Sequence, residues 1–172
     1  MKNLLDQSDP ILRQIAEPVP ASEFGSEWLK ALVQDMFSIM EEKGAVGVAA
    51  PQIGISKRII VFSTAYTQSR KIEDPIPDTA LINPSLKVLT KEIQTGYEGC
   101  LNCGETMGEV PRAMEIEYSG VDMNGNLICR KASGLEARIL QHEIDHLDGY
   151  LFLDHVQNKE TLTTRTELQN KA

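Results

Sequence analysis

Cysteine and basic charge are both scarce in this sequence, and each shortage excludes a class of protein. Three cysteines, an odd number, do not provide the disulfide framework of a small secreted domain. Seventeen basic residues against twenty-five acidic ones give a net charge of −8, which disfavours general binding to nucleic acid or to an anionic membrane. No apolar run approaches the ~20 residues that span a bilayer, and the first residues lack the hydrophobic region of a signal peptide. We therefore expect a cytoplasmic protein that binds neither nucleic acid directly nor a membrane.

The length of 172 residues and ordinary apolar and charged fractions (41% and 24%) fit one globular domain with a full core. We expect a single domain over residues 1–155, followed by a polar tail at 156–172. Apolar periodicity predicts helices at 26–43 and 133–147. Strands are predicted at 58–62, 81–90, 93–102, 114–122, 127–131 and 151–153, with a surface loop at 64–79. Hairpin connections favour an α+β fold, with mixed or antiparallel strands packed around the C-terminal helix and another helix near the N-terminus.

Two of the three histidines, His142 and His146, stand four residues apart on the predicted C-terminal helix. Side chains at this spacing lie on one helix face, so both imidazoles can reach one metal ion. Glu143 lies between them in sequence and projects nearby, outside the same coordination shell. This arrangement is typical of sites that activate a metal-bound water, with the carboxylate as proton carrier. We therefore predict a metal-binding helix, although so short a pattern also arises by chance.

The third ligand decides which kind of metal site this is, and several residues are candidates. Phe152 stands where a metzincin would have its third histidine, so that class is excluded. Glu167 lies in a tail with weak helical character, and His155 follows the end of the helix, so both are poor candidates. Cys100 and Cys103 together with the two histidines would make a closed Cys₂His₂ structural site, whereas one cysteine would leave an open site. The two cysteines could also form a redox pair, or Cys100 could be an inert buried thiol. In an extended strand, residues three apart point to opposite faces, so only one of the two sulfurs would face the helix.

Three separated segments together resemble the peptide deformylase family. The motifs of that family are GxGLAAxQ, EGCLS and QHExDHLxG, in this order. The corresponding segments are AVGVAAPQ at residues 45–52, EGCLN at 98–102 and QHEIDHLDG at 141–149. The order, the spacing and the length of the chain agree over residues 8 to 155. The resemblance implies a catalytic domain that removes the N-terminal formyl group from N-formylmethionyl nascent polypeptides.

The resemblance implies that Cys100, His142 and His146 bind the metal and leave the fourth position for water. It also implies Fe²⁺ as that metal, while Zn²⁺, Ni²⁺ or Co²⁺ could occupy a site of one thiolate and two imidazoles. A bound cation can lower the pKa of water towards ~7, and the resulting hydroxide would attack the formyl carbon. Glu143 would take the proton and deliver it to the leaving amine, as general base and then general acid.

The resemblance further implies which groups would hold the substrate. The Gln52 side-chain amide and the Leu101 backbone N–H match the family's donors to the developing oxyanion. The edge at residues 45–48 could pair with the peptide as an added strand, and its glycine allows a close approach. The residues expected to contact the substrate are Val46, Gly47, Gly99, Leu135 and Ile139. The three with large apolar side chains would line the pocket for the terminal methionine, and they fit plain core packing equally well.

The sequence departs from the family pattern at specific positions. Ala45 replaces the first glycine of the first motif, Asn102 replaces the usual serine, and Cys103 stands where many members have an aliphatic residue. Met107 occupies a position where many members carry an arginine near the substrate. Two alternatives therefore stay open: an amidase with altered N-acyl or side-chain preference, and a non-catalytic peptide-binding protein with the closed Cys₂His₂ site. The family also allows a transient contact with the ribosome, for which we do not assume a C-terminal helix here.

Overall fold

The computed structural model describes residues 3–67 and 75–170. Within them the chain forms helices α1 (Glu27–Lys43), α2 (Gly134–Leu147) and α3 (Arg165–Asn170), together with two β-sheets. The predicted α+β class is confirmed. None of the described helices has the length and apolar character needed to cross a bilayer.

The larger sheet contains five strands, and the smaller one contains three. The larger sheet consists of β1 (Gly47–Ala49), β2 (Ile59–Phe62), β3 (Thr79–Val88), β6 (Glu115–Val121) and β7 (Leu127–Ser133), in the order β1-β2-β3-β6-β7. The smaller sheet consists of β4 (Ile93–Gly99), β5 (Thr106–Ala113) and β8 (Thr163–Thr164), in the order β4-β5-β8. Neighbouring strands are antiparallel in both sheets. Among the described residues, β1 and β4 are edge strands of their sheets.

Helix α1 begins and ends at residues suited to those positions. The Ser26 hydroxyl oxygen accepts a hydrogen bond from the Leu29 N–H at 3.1 Å, which caps the first turn. Gly44 follows the last residue in the left-handed conformation (φ 61°), which a residue without Cβ adopts at low cost. The apolar stripe predicted from the spacing is buried, and it consists of Leu29, Leu32, Val33, Met36, Ile39 and Met40.

Helix α2 contacts strands of both sheets and carries the predicted metal-binding histidines. One face is apolar, and Leu140 and Ile144 are buried in the same cluster as Phe62 of the larger sheet. On the other side, the Gln141 amide accepts from the Ala113 N–H at 3.1 Å and donates to the Ala113 carbonyl at 3.0 Å. The helix is therefore fixed by apolar packing towards one sheet and by directional hydrogen bonds towards the other.

One predicted strand was too long and another was wrong, because the chain turns sooner than its apolar residues suggest. The strand predicted at 93–102 ends at Gly99, and Leu101–Cys103 forms a 3₁₀ turn closed by the Cys103 N–H on the Cys100 carbonyl at 2.9 Å. No strand forms at 151–153, where Phe152–Asp154 is a second 3₁₀ turn. There the Asp154 carboxylate accepts from the Leu151 N–H at 2.7 Å, which stabilises the turn over an extended segment.

The polar segments contain more structure than their composition predicts. Strand β5 was not predicted, because Gly108 and Pro111 interrupt its pattern. Proline is tolerated there because β8 pairs only with Thr106 and Met107, which leaves that side of the strand without a partner at Pro111. The predicted polar tail forms β8 and the short helix α3, although its helical signal is weak. Of the surface loop predicted at 64–79, residues 68–74 lie outside the described part of the chain.

Candidate metal centre and active site

The predicted metal ligands meet at one point between the two sheets. Ligand atoms of Cys100, His142 and His146 all lie within 4.8 Å of one another, and the three side chains are buried. Cys100 directly follows β4, while the histidines lie one turn apart on α2. Cys100 Sγ and His146 Nε2 are 3.4 Å apart. One thiolate and two imidazoles suit a divalent transition metal, and three protein ligands leave a coordination position for another molecule.

Glu98 organises the groups behind this site. One of its oxygens lies 2.9 Å from His142 Nδ1, so an Nδ1–H donated there leaves Nε2 free as a ligand atom. Arg112 binds the same carboxylate through two hydrogen bonds of 3.0 Å and also reaches Asp145 at 2.6 Å. Arg138 adds a further bond to Glu98 at 2.7 Å. The buried carboxylate is therefore neutralised by arginines, and the imidazole is held in one orientation and tautomer.

Burial and neighbouring charges shift the pKa values of the acidic groups in opposite directions. Burial opposes ionisation of Glu98, but hydrogen bonds from His142 and Arg112 hold its pKa well below the ordinary value. Among the described residues, Glu143 has no such donors, and burial raises its pKa to about 7, with the nearby His142 charge acting against that shift. Two carboxylates on neighbouring elements thus have different character: Glu98 is a fixed anion, and Glu143 binds a proton readily.

Glu143 carries an unsatisfied carboxylate oxygen in the site, and His146 Nδ1 also has no hydrogen-bond partner among the described residues. The Glu143 side chain is 4% exposed, and Oε2 has no hydrogen-bond partner in the described part of the chain. Strand β1 passes directly over this side chain, so that a Cβ at Gly47 would collide with the carboxylate. A buried carboxylate oxygen without a donor is costly, which is expected where a ligand or water completes the bonding.

A cavity of about 610 Å³ opens above the three ligands. Its wall includes Glu143, Gln52, Leu101, Cys100 and His142, whereas His146 is 1% exposed and lies beneath them. The five residues predicted to contact substrate also lie on this wall: Val46, Gly47, Gly99, Leu135 and Ile139. Ile139 also belongs to the core cluster beneath, and Val46 and Leu135 pack against that cluster, so these apolar residues serve the core and the cavity together.

The Gln52 amide is tied into the site by its own hydrogen bonds. Its Oε1 accepts from the Ala49 N–H at 2.7 Å, and its Nε2 donates to Asn102 Oδ1 at 2.8 Å and to Cys100 Sγ at 3.2 Å. Asn102 in turn donates to the Gln52 carbonyl at 3.1 Å. Asn102, which departs from the family motif, therefore supports the position of Gln52.

Cys103 lies beside the metal-binding group but outside it. The group contains Cys100 and the two histidines, and Cys103 is not among its members in the described residues. The 3₁₀ turn directs Cys103 into an apolar cluster that includes Leu12 and Val110. Cys103, together with burial, raises the pKa of the Cys100 thiol well above its ordinary value. Among the described residues, the metal-binding group therefore contains one cysteine and not two.

The other two candidates for the third ligand, Glu167 and His155, lie near different carboxylate or hydroxyl groups. The Glu167 carboxylate accepts from the Thr163 hydroxyl at 2.7 Å, within the tail. His155 lies 3.0 Å from the Asp145 carboxylate, behind the site. Neither residue belongs to the metal-binding group.

Sequence reasoning missed the residues that support the site from behind and from the cavity rim. Glu98 and Asp145 were within the quoted motifs but received no role, although carboxylates beside ligand residues are a usual signal of outer-shell support. Arg112 was missed, and a single charge between apolar residues at 110–113 could have indicated a buried ion pair. Arg138 and Arg165 on the cavity wall carried no local signal. Arg138 lies on α2 and bonds to residues of β4 and β5, whereas Arg165 reaches the wall because β8 pairs with β5.

Comparison with known proteins accounts for nearly the whole chain. It is 39% identical over 158 residues to peptide deformylase 2 of Pseudomonas putida, covering 92% of this chain and 89% of that one. It is 41% identical to peptide deformylase 2 of Pseudomonas syringae pv. tomato, covering 88% of this chain and 85% of that one. A crystal structure of class I type b peptide deformylase from Acinetobacter baumannii, with Met-Ala-Ser bound, matches with a TM-score of 0.81 at 34% identity, covering 90% and 98% of the two chains. The model of the polypeptide deformylase family matches residues 1–162, and the chain belongs to this family, as its three motifs predicted.

Proposed function

We propose that this deformylase removes the N-terminal formyl group from N-formylmethionyl peptides, with Cys100, His142 and His146 as metal ligands and Glu143 as the proton carrier. One observation supports this proposal most. An unpartnered, buried carboxylate oxygen lies on the wall of a peptide-sized cavity, beside a group of one cysteine and two histidines. This combination is suited to hydrolysis and has no role in a closed structural site.

We propose Fe²⁺ as the resident metal, with Zn²⁺, Ni²⁺ or Co²⁺ as substitutes. The thiolate and imidazole donors fit any of these cations. When bound, the cation supplies Lewis acidity, which polarises a carbonyl and lowers the pKa of water towards ~7. Glu98 favours metal binding by holding His142 through Nδ1, and the burial of all three ligands limits access of competing water.

Glu143 moves the proton that amide hydrolysis requires. Water adds across the formyl C–N bond: its hydroxyl goes to the formyl carbon and its proton to the leaving nitrogen, which gives formate and a free amine. The unpartnered Oε2 of Glu143 can accept that proton and return it to the nitrogen. Strand β1 confines the Glu143 side chain from above, since even a Cβ at Gly47 would collide with it.

Two donors are proposed for the oxygen that becomes negative in the transition state. Gln52 Nε2 has one strong bond, to Asn102, and one to the sulfur of Cys100, which is a weak acceptor. The hydrogen on the sulfur side is therefore the one available for a carbonyl oxygen. Leu101 is the first residue of its 3₁₀ turn, where an N–H has no partner within the turn. Both groups lie on the cavity wall.

The peptide is proposed to bind as an added strand. The edge strand β1 and the last residues of the edge strand β4 both line the cavity, so main-chain groups on two sides are available to an extended peptide. The methionine side chain would enter the apolar part of the cavity, against Val46, Leu135 and Ile139. Met-Ala-Ser bound to the Acinetobacter baumannii relative is consistent with a peptide of this kind.

We propose that the natural substrates are nascent chains in the cytoplasm. A tripeptide bound in a relative supports recognition of the first residues alone, which leaves the rest of the chain free. Contact with the ribosome would be transient, because a net charge of −8 opposes tight binding to nucleic acid.

The test is a formate-release assay on protein purified without oxygen, with the metal content measured on the same sample. Formyl-Met-Ala-Ser should be turned over, and acetylated or non-methionine peptides should react much more slowly. Glu143→Gln should lower kcat about 10²- to 10⁴-fold while the metal content stays the same. Glu136→Gln, two turns earlier on α2, is the matched control and should retain activity. Undiminished formate release by Glu143→Gln would refute the mechanism, and a preference for another acyl group would favour the amidase alternative.

A further inference from the structure

Three cationic residues line the cavity, and they differ in whether their charge is already balanced. Lys43 forms an ion pair with Glu42 at 2.7 Å. Arg138 binds Glu98 and also donates to backbone carbonyls of Gln94 and Val110, at 2.6 and 2.9 Å. Among the described residues, the third cation, Arg165, has no ion-pair partner.

Arg165 is that cation, and strand pairing brings it to the cavity. Strand β8 pairs with the start of β5, with Thr106 opposite Thr164, so the next residue reaches the rim. The Arg165 N–H donates to the Glu105 carbonyl at 2.8 Å, which fixes the backbone there. Arg165 is exposed and lies on the cavity wall, although it is outside every motif of the site.

The wall between the metal-binding group and Arg165 is continuous. From Cys100 it runs through Leu101, Gly104 and Glu105 to Arg165, all of which line the same cavity. A peptide whose formyl end lies at the ligands and whose chain follows this wall would pass Arg165. Glu105 places a carboxylate on the same stretch, and among the described residues it forms no ion pair with Arg165.

We propose that Arg165 is a specificity-determining residue that binds a carboxylate on the second or third residue of the peptide. This inference rests on the proposed function, because it assumes a peptide extending from the metal-binding group. The guanidinium presents five donors in a planar fork that matches a carboxylate. The substrates favoured are therefore formylated chains with aspartate or glutamate just after the first residue, in spite of the acidic protein.

The experiment compares peptides that differ only in downstream charge. The peptides are formyl-Met-Ala-Asp, formyl-Met-Asp-Ala and the two matching peptides with lysine in place of aspartate. All four are C-terminal amides, so that the terminal carboxylate does not add a second negative charge. The readout is the ratio of kcat/KM for the aspartate peptide to that for the lysine peptide. Arg165→Ala should lower this ratio about three- to tenfold, mainly through KM, and Arg165→Glu should reverse the preference.

Further variants separate the role of this charge from general effects. Arg165→Lys should keep a reduced preference for aspartate, and Glu105→Gln should strengthen it by removing a competing negative charge. Lys159→Ala, an exposed cation in the same tail outside the cavity wall, is the matched control and should leave the ratio as in the parent. The preference for aspartate should also weaken as salt is raised from 0.05 to 0.5 M, because salt screens an exposed ion pair. The screening length is on the order of 10 Å at 0.1 M salt.

Different outcomes test the role of Arg165 and the proposed deformylase function. If the parent protein releases formate, and the aspartate-to-lysine ratio of kcat/KM in Arg165→Ala and Arg165→Glu stays within twofold of the parent's, the role of Arg165 is overturned and the proposed function stands. Absence of formate release from every peptide would overturn the proposed function. In that case, equilibrium binding of fluorescent Met-Ala-Asp and Met-Ala-Lys amides to the same variants still tests Arg165, and equal affinities would overturn its role.

Discussion

Replacing Gly47 with alanine tests whether the position of Glu143 controls catalysis. The new Cβ would lie 2.7 Å from Glu143 Cδ and 2.8 Å from Cγ, and closer still to Oε1, whereas ordinary Cβ contacts begin at 3.4 Å. The carboxylate must therefore move by about 0.7 Å or more, or β1 must shift by a similar distance. The atoms nearest the new methyl belong to Glu143 and not to the metal ligands, so the metal should be retained.

The size of the effect follows from this displacement. Misplacing a catalytic group by about 1 Å can cost ~100-fold in rate, or about 2.7 kcal/mol of activation free energy. We expect kcat for formyl-Met-Ala-Ser to fall about 30- to 100-fold in Gly47→Ala, with unchanged metal content. Formate release under nitrogen gives kcat and KM, and elemental analysis of the same samples gives the metal content.

Two comparisons separate displacement of Glu143 from general crowding or weaker peptide binding. Gly108→Ala introduces a Cβ 2.9 Å from Val156 and 3.0 Å from Leu162, a similar crowding against apolar side chains, and should largely keep kcat. Glu143→Asp shortens the crowded side chain, so Gly47→Ala should cost much less in the E143D background than in the parent. An equal fold loss in both backgrounds, or loss of metal together with activity, would refute the reasoning.

Three further changes test the surroundings of the site. Cys103→Ser should keep metal and activity, whereas Cys100→Ser should lose metal on elemental analysis; loss of metal in Cys103→Ser would revive the closed site. Glu98→Gln should weaken metal binding about 10- to 100-fold in a chelator competition and lower the urea midpoint, because Arg138 loses its carboxylate partner and Arg112 keeps only Asp145. Burial raises the pKa of Asp154, but the Leu151 N–H and Arg13 outweigh it and lower that pKa below 3.8. The stability that the Asp154 carboxylate contributes is therefore complete above the unfolded-state pKa of 3.8 and is lost as pH falls through the lowered value. Asp154→Asn should therefore cost about 0.5 kcal/mol or less in denaturant unfolding at pH 7, and the difference from the parent should shrink below pH 4.

The sequence predicted the features that depend on local periodicity or on a short motif. The α1 stripe and the spacing of His142 and His146 are of this kind, because helical geometry alone brings such residues to one face. The third ligand was assigned by resemblance, since local spacing left Cys100 and Cys103 both possible. An extended strand was predicted for this segment, but the structure has a 3₁₀ turn at Leu101–Cys103 that separates the two sulfurs.

The features that sequence did not predict depend on pairing between distant strands. Glu98 is opposite Gly108 and Arg112 is opposite Gln94, so the two side chains share one face of the β4–β5 pair and meet along it. The sequence pattern did not predict β5, because Pro111 interrupts it. Arg165 reaches the cavity only because two residues of β8 join that sheet. Such contacts depend on register and on long-range packing, for which no single segment carries a signal.

Helix α2 joins two sheets that share no strand among the described residues. Its apolar face is part of the core of one sheet, and Arg138, Gln141 and His142 bond to groups of the other. Local unfolding at one sheet would leave α2 held by its contacts with the other sheet. Release of α2 therefore requires the contacts with both sheets to break. Its backbone amides should therefore exchange with solvent deuterium only at the rate set by unfolding of the whole domain. The site would accordingly be lost in an all-or-none manner, and partly unfolded molecules that keep the fold without the ligand geometry would be rare.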